Sequence, residues 1–290
     1  MQAAILQMIV TGVLLGLLYA FASVGLNLIW GIIGIINFSQ AEYLMLGMFT
    51  AYWLYQLLGL DPLLSLPVAF VTTFLLGAFV QRFAINRVLN APPLTQVAVT
   101  FALLLIIRYT ALMLWGPDSR STITWYSEKS LSVGSVLISY SMLISSILAA
   151  LSTLLLFLFL TRTDTGIALR ATAQDRVTAQ LYGMDATKMY TLAFAIAVGI
   201  TGLAGALFST IYWIMPEVGA IFSVLMYTVV VLGGLRSLLG CFVGGIIVGV
   251  VECLSAFYIT PSMKDVPVFL LLLIILVIKP SGLFARKGAL

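Results

Sequence analysis

The sequence predicts an all-α polytopic membrane protein of about nine spans. Three observations carry that expectation. Hydrophobic residues make up 62% of the 290-residue chain and charged residues only 8%, against about 45–50% and about 25% in soluble domains. The mean hydropathy is +1.16. Apolar runs recur that are long enough to cross a hydrocarbon core of about 30 Å.

The runs lie at 5–30, 43–60, 63–81, 94–115, 136–161, 189–213, 218–235, 238–259 and 266–279. Merging or splitting at their ends bounds the count at 8–10. The first run has no basic residue before it and outlasts a signal-peptide core, so Met1–Val10 predicts a retained span rather than a cleaved leader. Between the first and second runs, "NFSQAEY" predicts an interruption near residues 31–42. Within it Ser39 and Glu42 are three apart, the spacing of a capping box that starts span two. Pro67 and Pro267 fall in first turns, where a missing N–H costs little. The other prolines fall between spans or just beyond them. Span four carries Arg108 on a strip with Gln96 and Thr100. The connection 116–135 is polar, with two aromatics. Span eight holds both cysteines, Cys241 and Cys253, too far apart on one helix for a disulfide. Gly12 and Gly16, Gly240 and Gly244, and Gly245 and Gly249 are each four apart, which suits close helix packing. Span nine is short and extends toward Phe284 if Lys279 snorkels.

Basic residues set the orientation. With 162–188 inside, the inside holds Arg82, Arg87, Arg162, Arg170, Arg176, Lys188, Arg236, Lys279, Arg286 and Lys287, ten in all. The outside holds three, Arg120, Lys129 and Lys264, and Arg108 lies within a span. That bias puts the N-terminus outside and the C-terminus in the cytoplasm. The net charge of +4 therefore needs no nucleic acid partner. Histidine is absent and thiols are scarce, which removes the usual metal and nucleophile constellations. No cofactor is expected.

Three groups of residues stand out. The polar stretch Gly166–Gly183 predicts one helix, capped by Asp164 or Thr165 and closed by Gly183, with Ala173, Val177, Leu181 and Met184 on one face. Such a helix either lies on the membrane surface or docks in a groove of a cytoplasmic partner. A second turn follows through Asp185 and Lys188. The second group, Asn27, Asn37, Ser39, Gln40 and Glu42, is either a helix start serving its own backbone or the lining of a translocation path through a broken helix. Arg108 and Glu252 form the third, each seven residues before the outer end of its span and so about 10 Å deep. They either pair with each other or line the outer mouth of the path.

Three segments carry a family resemblance. "GIALRATAQDRVTAQLYG", with Gly166, Arg170, Ala171, Asp175, Ala179 and Gly183, is similar to G-x-x-x-R-A-x-x-x-D-x-x-x-A-x-x-x-G, and "GLAGAL" follows it. "GLNLIWGIIGIINFSQAEYLMLGMFTAY" is similar to G-L-N-L-I-F-G…I-N-F-A-H-G-E…L-G-A-Y. "VVVLGGLRSLLGCFVGGIIVGVVE" is similar to V-L-G-G-x-G-S-x-x-G…G-G…E. Together they resemble the permease subunits of branched-chain amino acid ABC importers, and more the smaller of the two paired permeases. The chain departs from the pattern at Gln40-Ala41, where the family has His-Gly, and at Arg236, where it has Gly.

The resemblance implies a single permease domain over 1–290 in a bacterial-type inner membrane, taking branched-chain or other neutral amino acids inward. It implies a coupling-helix loop at 162–188, with Gly166, Arg170, Ala171, Asp175, Ala179, Leu181 and Gly183, seated on cytoplasmic ATPase subunits. A second permease and an external substrate-binding protein complete the implied assembly; the polar connection 116–135 is either a plain solvated loop or a surface that touches that binding protein. No P-loop occurs, so ATP hydrolysis belongs to a partner and this chain is a transport subunit, not an enzyme. A urea or short-amide permease of the same family, and a self-sufficient secondary transporter or channel, fit the same composition.

Overall fold

Hydrocarbon offers a backbone N–H or C=O no partner, so an oily chain that crosses it must satisfy those groups within helices. The computed structural model, which describes residues 2–284, follows that rule. The elements are α1 (Gln2–Ile32), α2 (Gln40–Leu58), α3 (Leu66–Val80), α4 (Asn86–Val88), α5 (Pro93–Trp115), β1 (Ser130–Val133), β2 (Val136–Ser139), α6 (Tyr140–Arg162), α7 (Asp164–Gln174), α8 (Arg176–Leu181), α9 (Ala186–Phe208), α10 (Val218–Gly233), α11 (Leu238–Tyr258) and α12 (Val266–Ile278). A π turn, Gln81–Ile85, joins α3 to α4. Met1, Arg286 and Lys287 lie outside the described residues.

Each of the nine predicted runs holds a helix, but among the described residues only seven helical stretches are both long and apolar enough to cross a membrane. The two that fall short are α2, which starts among polar side chains, and α10, which has only 16 residues. Two predicted ends also shift. Residues 136–139 belong to a strand, so span five starts at Tyr140. Span six ends at Phe208, and a turn takes over 209–211. The strand exists because β1 and β2 form a hairpin with Val133 opposite Val136. Gly134, at φ 62°, makes its two-residue turn.

α1 and α9 are the most deeply buried spans and α12 the least. Tyr19 and Phe21 of α1 and Phe194 and Phe208 of α9 are among the largest side chains sealed in the core. The glycine pairs do what their spacing predicts. A Cβ on Gly12 would stand 2.6 Å from the Val250 Cα, and one on Gly16 would stand 2.6 Å from the Ile246 Cα. On the facing helix, a Cβ on Gly249 would meet Gly12 O at 2.3 Å. α1 and α11 therefore touch backbone to backbone. Gly240 makes the same kind of approach to Gly233 of α10. Both cysteines lie in α11 as free thiols.

Candidate functional site

The chain leaves the helix after Ile32, runs irregular through 34–37, and turns back into helix at Gln40. Non-helical backbone at this depth survives only where protein surrounds it, and Ile35, Asn37, Ser39, Gln40 and Glu42 are all buried. The break supplies its own hydrogen bonds. Asn37 Oδ1 accepts from Ser39 Oγ at 2.7 Å and from Ser39 N at 3.2 Å. Asn37 Nδ2 donates to Gln40 Oε1 at 2.8 Å. Gln40 Nε2 then reaches α9, donating to Thr201 Oγ1 at 2.6 Å and Ala197 O at 3.3 Å. Thr100 Oγ1 donates to Ile36 O at 3.0 Å and so ties the break to α5. Asn27 stands apart from this network. Its amide lies 3.5 Å from the carbonyls of Gly234 and Ser237, at the α10–α11 connection.

The predicted capping box does not form. Ser39 makes no side-chain cap and spends its hydroxyl on Asn37. Glu42 instead forms an ion pair with Arg108 Nη2. The predicted pairing of Arg108 with Glu252 is therefore overturned, and Glu252 pairs with Lys264. The cause is the height at which α2 begins. Counting from the ends of apolar runs sets Glu42 at the edge of a span, but the break turns the chain back so that α2 starts beside the middle of α5. The carboxylate thus comes level with Arg108. Lys264, an external loop charge by the count of basic residues, sits just before α12 and reaches back to α11.

Glu42 is fully buried in the first turn of α2, and its carboxylate also packs against the first turn of α10. A Cβ on Gly219 would stand 2.6 Å from either carboxylate oxygen. The positive ends of two helix dipoles thus converge on one anion. Glu42 Oε2 and Arg108 Nε remain buried without a hydrogen-bond partner among the described residues. The Arg108 side chain keeps 21% of its surface exposed. The two helices too short or too polar to span the membrane are the two whose N-termini meet at this pair.

The predicted helix over 166–183 is two helices. Thr163, rather than Asp164 or Thr165, caps α7, its Oγ1 accepting from Gly166 N at 3.0 Å. Asp175 ends α7 and caps α8, accepting from Val177 N at 2.9 Å and Thr178 N at 3.1 Å. Those bonds hold its carboxyl below the usual range, the Thr178 hydroxyl contributing most. Gly183, at φ 82°, closes α8, and Met184 N returns to Ala179 O at 3.1 Å. The second turn expected through Asp185 and Lys188 is the start of α9, capped by Asp185. Leu169 and Ala179 face inward, whereas Val177, Leu181 and Tyr182 stand 67%, 83% and 81% exposed. Gly166 has no room for a side chain: a Cβ there would meet Phe159 O at 2.2 Å.

The profile of the family described as "Branched-chain amino acid transport system / permease component" matches residues 8–277. The chain belongs to this permease family. The high-affinity branched-chain amino acid transport system permease protein LivH of Salmonella typhimurium is 29% identical, over 97% of this chain and 96% of its own length. BraD of Pseudomonas aeruginosa, named in the same way, is 28% identical with the same coverage. A probable branched-chain amino acid transport permease protein of Methanocaldococcus jannaschii is 27% identical over 84% of this chain and 79% of its own. No solved structure matches significantly.

Within this permease, both departures from the family pattern have a structural reading. Gln40, in place of His, holds the break to α9 through Thr201. Arg236, in place of Gly, adopts φ 69°, the left-handed region that glycine enters freely. Three partners of the site escaped sequence reasoning. Thr201 and Gly219 carry no local signal, being one threonine and one glycine among many in apolar helices. Lys264 follows Glu252 by twelve residues, and only knowledge of where α11 ends would bring them together.

Proposed function

We propose that this chain is the membrane-spanning subunit of an ATP-driven importer for branched-chain or other neutral amino acids, with its path beside Glu42 and Arg108. The observation that carries the reading is the buried pair at the converging starts of α2 and α10. Short helices whose N-termini meet at mid-membrane mark substrate paths in other transporters. The pair is also complementary in sign to an amino acid zwitterion, Arg108 to its carboxylate and Glu42 to its ammonium. Glu42 Oε2 and Arg108 Nε are unpartnered but buried, so a substrate gains them only as the helices part in alternating access. Asn37, Ser39 and Gln40 hold the break in shape, Asn27 braces the inner end, and Glu252 with Lys264 fixes the outer ends of α11 and α12.

The loop 162–188 couples this path to ATPase subunits in the cytoplasm. Val177 and Leu181 on α8, with Tyr182 just after it, form the exposed apolar contact, while Gly166, Leu169 and Ala179 pack the loop onto the spans. Arg170 and Ala171 lie on α7 between those two surfaces. A second permease closes the path on the Arg108 side, and the hairpin region 116–135 meets an external binding protein. Of the thirteen Lys and Arg expected outside the spans, all but Arg286 and Lys287 fall among the described residues. They still favour an outer N-terminus and an inner C-terminus by the positive-inside rule, in a bacterial-type inner membrane.

The test is reconstitution. The chain, purified in mild detergent with whatever subunits accompany it, is placed in liposomes and offered labelled leucine with and without ATP. Accumulation that needs ATP and a co-purifying ATPase, and that excess isoleucine but not urea suppresses, is expected. Accumulation by this chain alone under an ion gradient would overturn the reading.

A further inference from the structure

A cavity of about 440 Å³ opens between α3 and α9 at the helix ends assigned to the cytoplasm. Deeper in the membrane these helices leave no space. A Cβ on Gly202 would meet Thr73 Oγ1 at 2.1 Å, and one on Gly77 would meet Val198 Cβ at 2.8 Å. Toward the surface α3 passes into the π turn, whose wider winding marks where the close packing ends.

The lining is zoned along the helix axis. Arg82, Asn86, Asp185 and Lys188 form the mouth. Phe74, Ala78, Leu192 and Ala195 form the leg that runs into the membrane. At the mouth Asp185 is engaged by the first N–H groups of α9 and by Lys188 Nζ at 3.5 Å. Arg82 is in no ion pair among the described residues, so the mouth carries a surplus positive charge. Beside the leg, Leu75 and Phe79 of α3 and Phe83 of the π turn stand 61%, 59% and 49% exposed, an apolar stripe at four-residue steps. The cavity therefore opens sideways onto an apolar surface, not only toward water. Two of its mouth residues, Asp185 and Lys188, close the 162–188 loop, beyond the exposed α8 face that docks the ATPase in our reading. The Arg176 guanidinium lies 5.6 Å over the Tyr190 ring, and Tyr190 is about 200° around α9 from both Lys188 and Leu192.

We infer that this cavity is a binding site for an anionic phospholipid of the adjacent leaflet. The phosphate sits between Arg82 and Lys188, Asn86 donates to it, and one acyl chain lies along Phe74, Ala78, Leu192 and Ala195. A cationic mouth above an apolar leg matches a lipid's charge and shape, whereas a soluble anion has no use for the leg. The inference needs only that the chain spans a membrane. It stands or falls independently of substrate and direction.

The test measures lipid retained by the purified complex in nanodiscs of phosphatidylglycerol and phosphatidylcholine, by native mass spectrometry and by a fluorescent phosphatidylglycerol analogue. The wild type is expected to retain phosphatidylglycerol over phosphatidylcholine. Arg82→Gln and Lys188→Gln should each lower that retention about fivefold, the worth of one basic residue near an anionic surface. Ala195→Phe, which fills the leg and leaves the charges, should lower it as well. Unchanged melting in detergent shows that each variant is folded; if Ala195→Phe fails this, Ala78→Leu replaces it. Equal retention by wild type and charge variants would overturn the site. Competition by millimolar inorganic phosphate, with the leg variants unaffected, would make it a free-anion site instead. Retention by the isolated chain but not by the assembled complex would assign the cavity to a protein contact.

Discussion

At the residue scale, one ion pair, Glu42 with Arg108, is sealed among the helices, and one residue, Arg236, departs from the family pattern at a left-handed backbone angle. An ion pair in hydrocarbon contributes little net stability, because desolvation offsets its attraction, but stranding one member is costly. Arg108→Leu is therefore expected to destabilise the protein by about 3–5 kcal/mol, since Glu42 has nowhere to find water. Glu42→Leu should cost less, because Arg108 is part-exposed. The double variant should recover most of the Arg108→Leu loss in a thermal-melt cycle. Strictly additive losses would show that the two do not pair, and a matching coupling between Glu252 and Arg108 would restore the pairing expected from sequence. Arg236 offers the opposite sign. A non-glycine residue in the left-handed region costs about 1–2 kcal/mol, and glycine returns part of that in unfolded-chain entropy. Arg236→Gly should thus raise the melting point slightly, a gain of up to about 1 kcal/mol. A clear loss would mean that the guanidinium makes a contact worth more than the strain.

At the element scale, helices were legible wherever the hydrophobic pattern was continuous and opaque where the chain chose between partners. The apolar runs located the helices to within about five residues at each end. Glu42 looked like a backbone cap because spacing reports only local neighbours, and Arg108 is 66 residues away. The loop 166–183 looked like one helix because its periodicity runs through Asp175 unbroken. What breaks it is the carboxylate turning to bond the N–H groups ahead of it. That cap is pH-dependent with a definite sign. Asp175 has its folded pKa lowered, so its contribution is present above the ordinary carboxylate range and is lost as pH falls through the lowered value. A spin label at Val177 should therefore stay ordered at neutral pH and gain mobility below about pH 4. Asp175→Asn, which can still cap, should abolish that transition while keeping the label ordered. A pH-independent label in the wild type would remove Asp175 as the cap. Asp185 starts α9 by the same bonds, with its carboxyl lowered in the same way. That helix is anchored by burial along its length, so it should not respond.

For the whole molecule, fold class and family were readable from composition and ordered motifs, because both depend on many residues at once. The arrangement of the helices was not. Which charge meets which depends on the depth of a seven-residue break and on where a 16-residue helix starts, and no periodicity encodes either. Orientation belongs to this scale too. A cysteine at Ser127, in the connection before the hairpin, should react with an impermeant maleimide in intact spheroplasts. One at Gln180, on α8, should react only after lysis. The reverse pattern would invert the chain and detach the 162–188 loop from any cytoplasmic ATPase.

The glycine seam between α1 and α11 has an entropic side. In water, glycine in a helix is a handicap, because the unfolded chain has so much freedom to lose. A segment inserted in lipid is already helical before it meets its neighbour, since the bilayer tolerates no open backbone. When α1 and α11 come together, then, that freedom is gone in advance. Gly12, Gly16, Gly245 and Gly249 have no rotamers left to freeze. What remains is van der Waals contact between two backbones that no side chain holds apart. The same four glycines in a soluble bundle would weaken both helices before those helices could touch. The seam is thus an interface that works because of its solvent, and transplanting it into an aqueous scaffold would turn its tightest contact into its weakest helices.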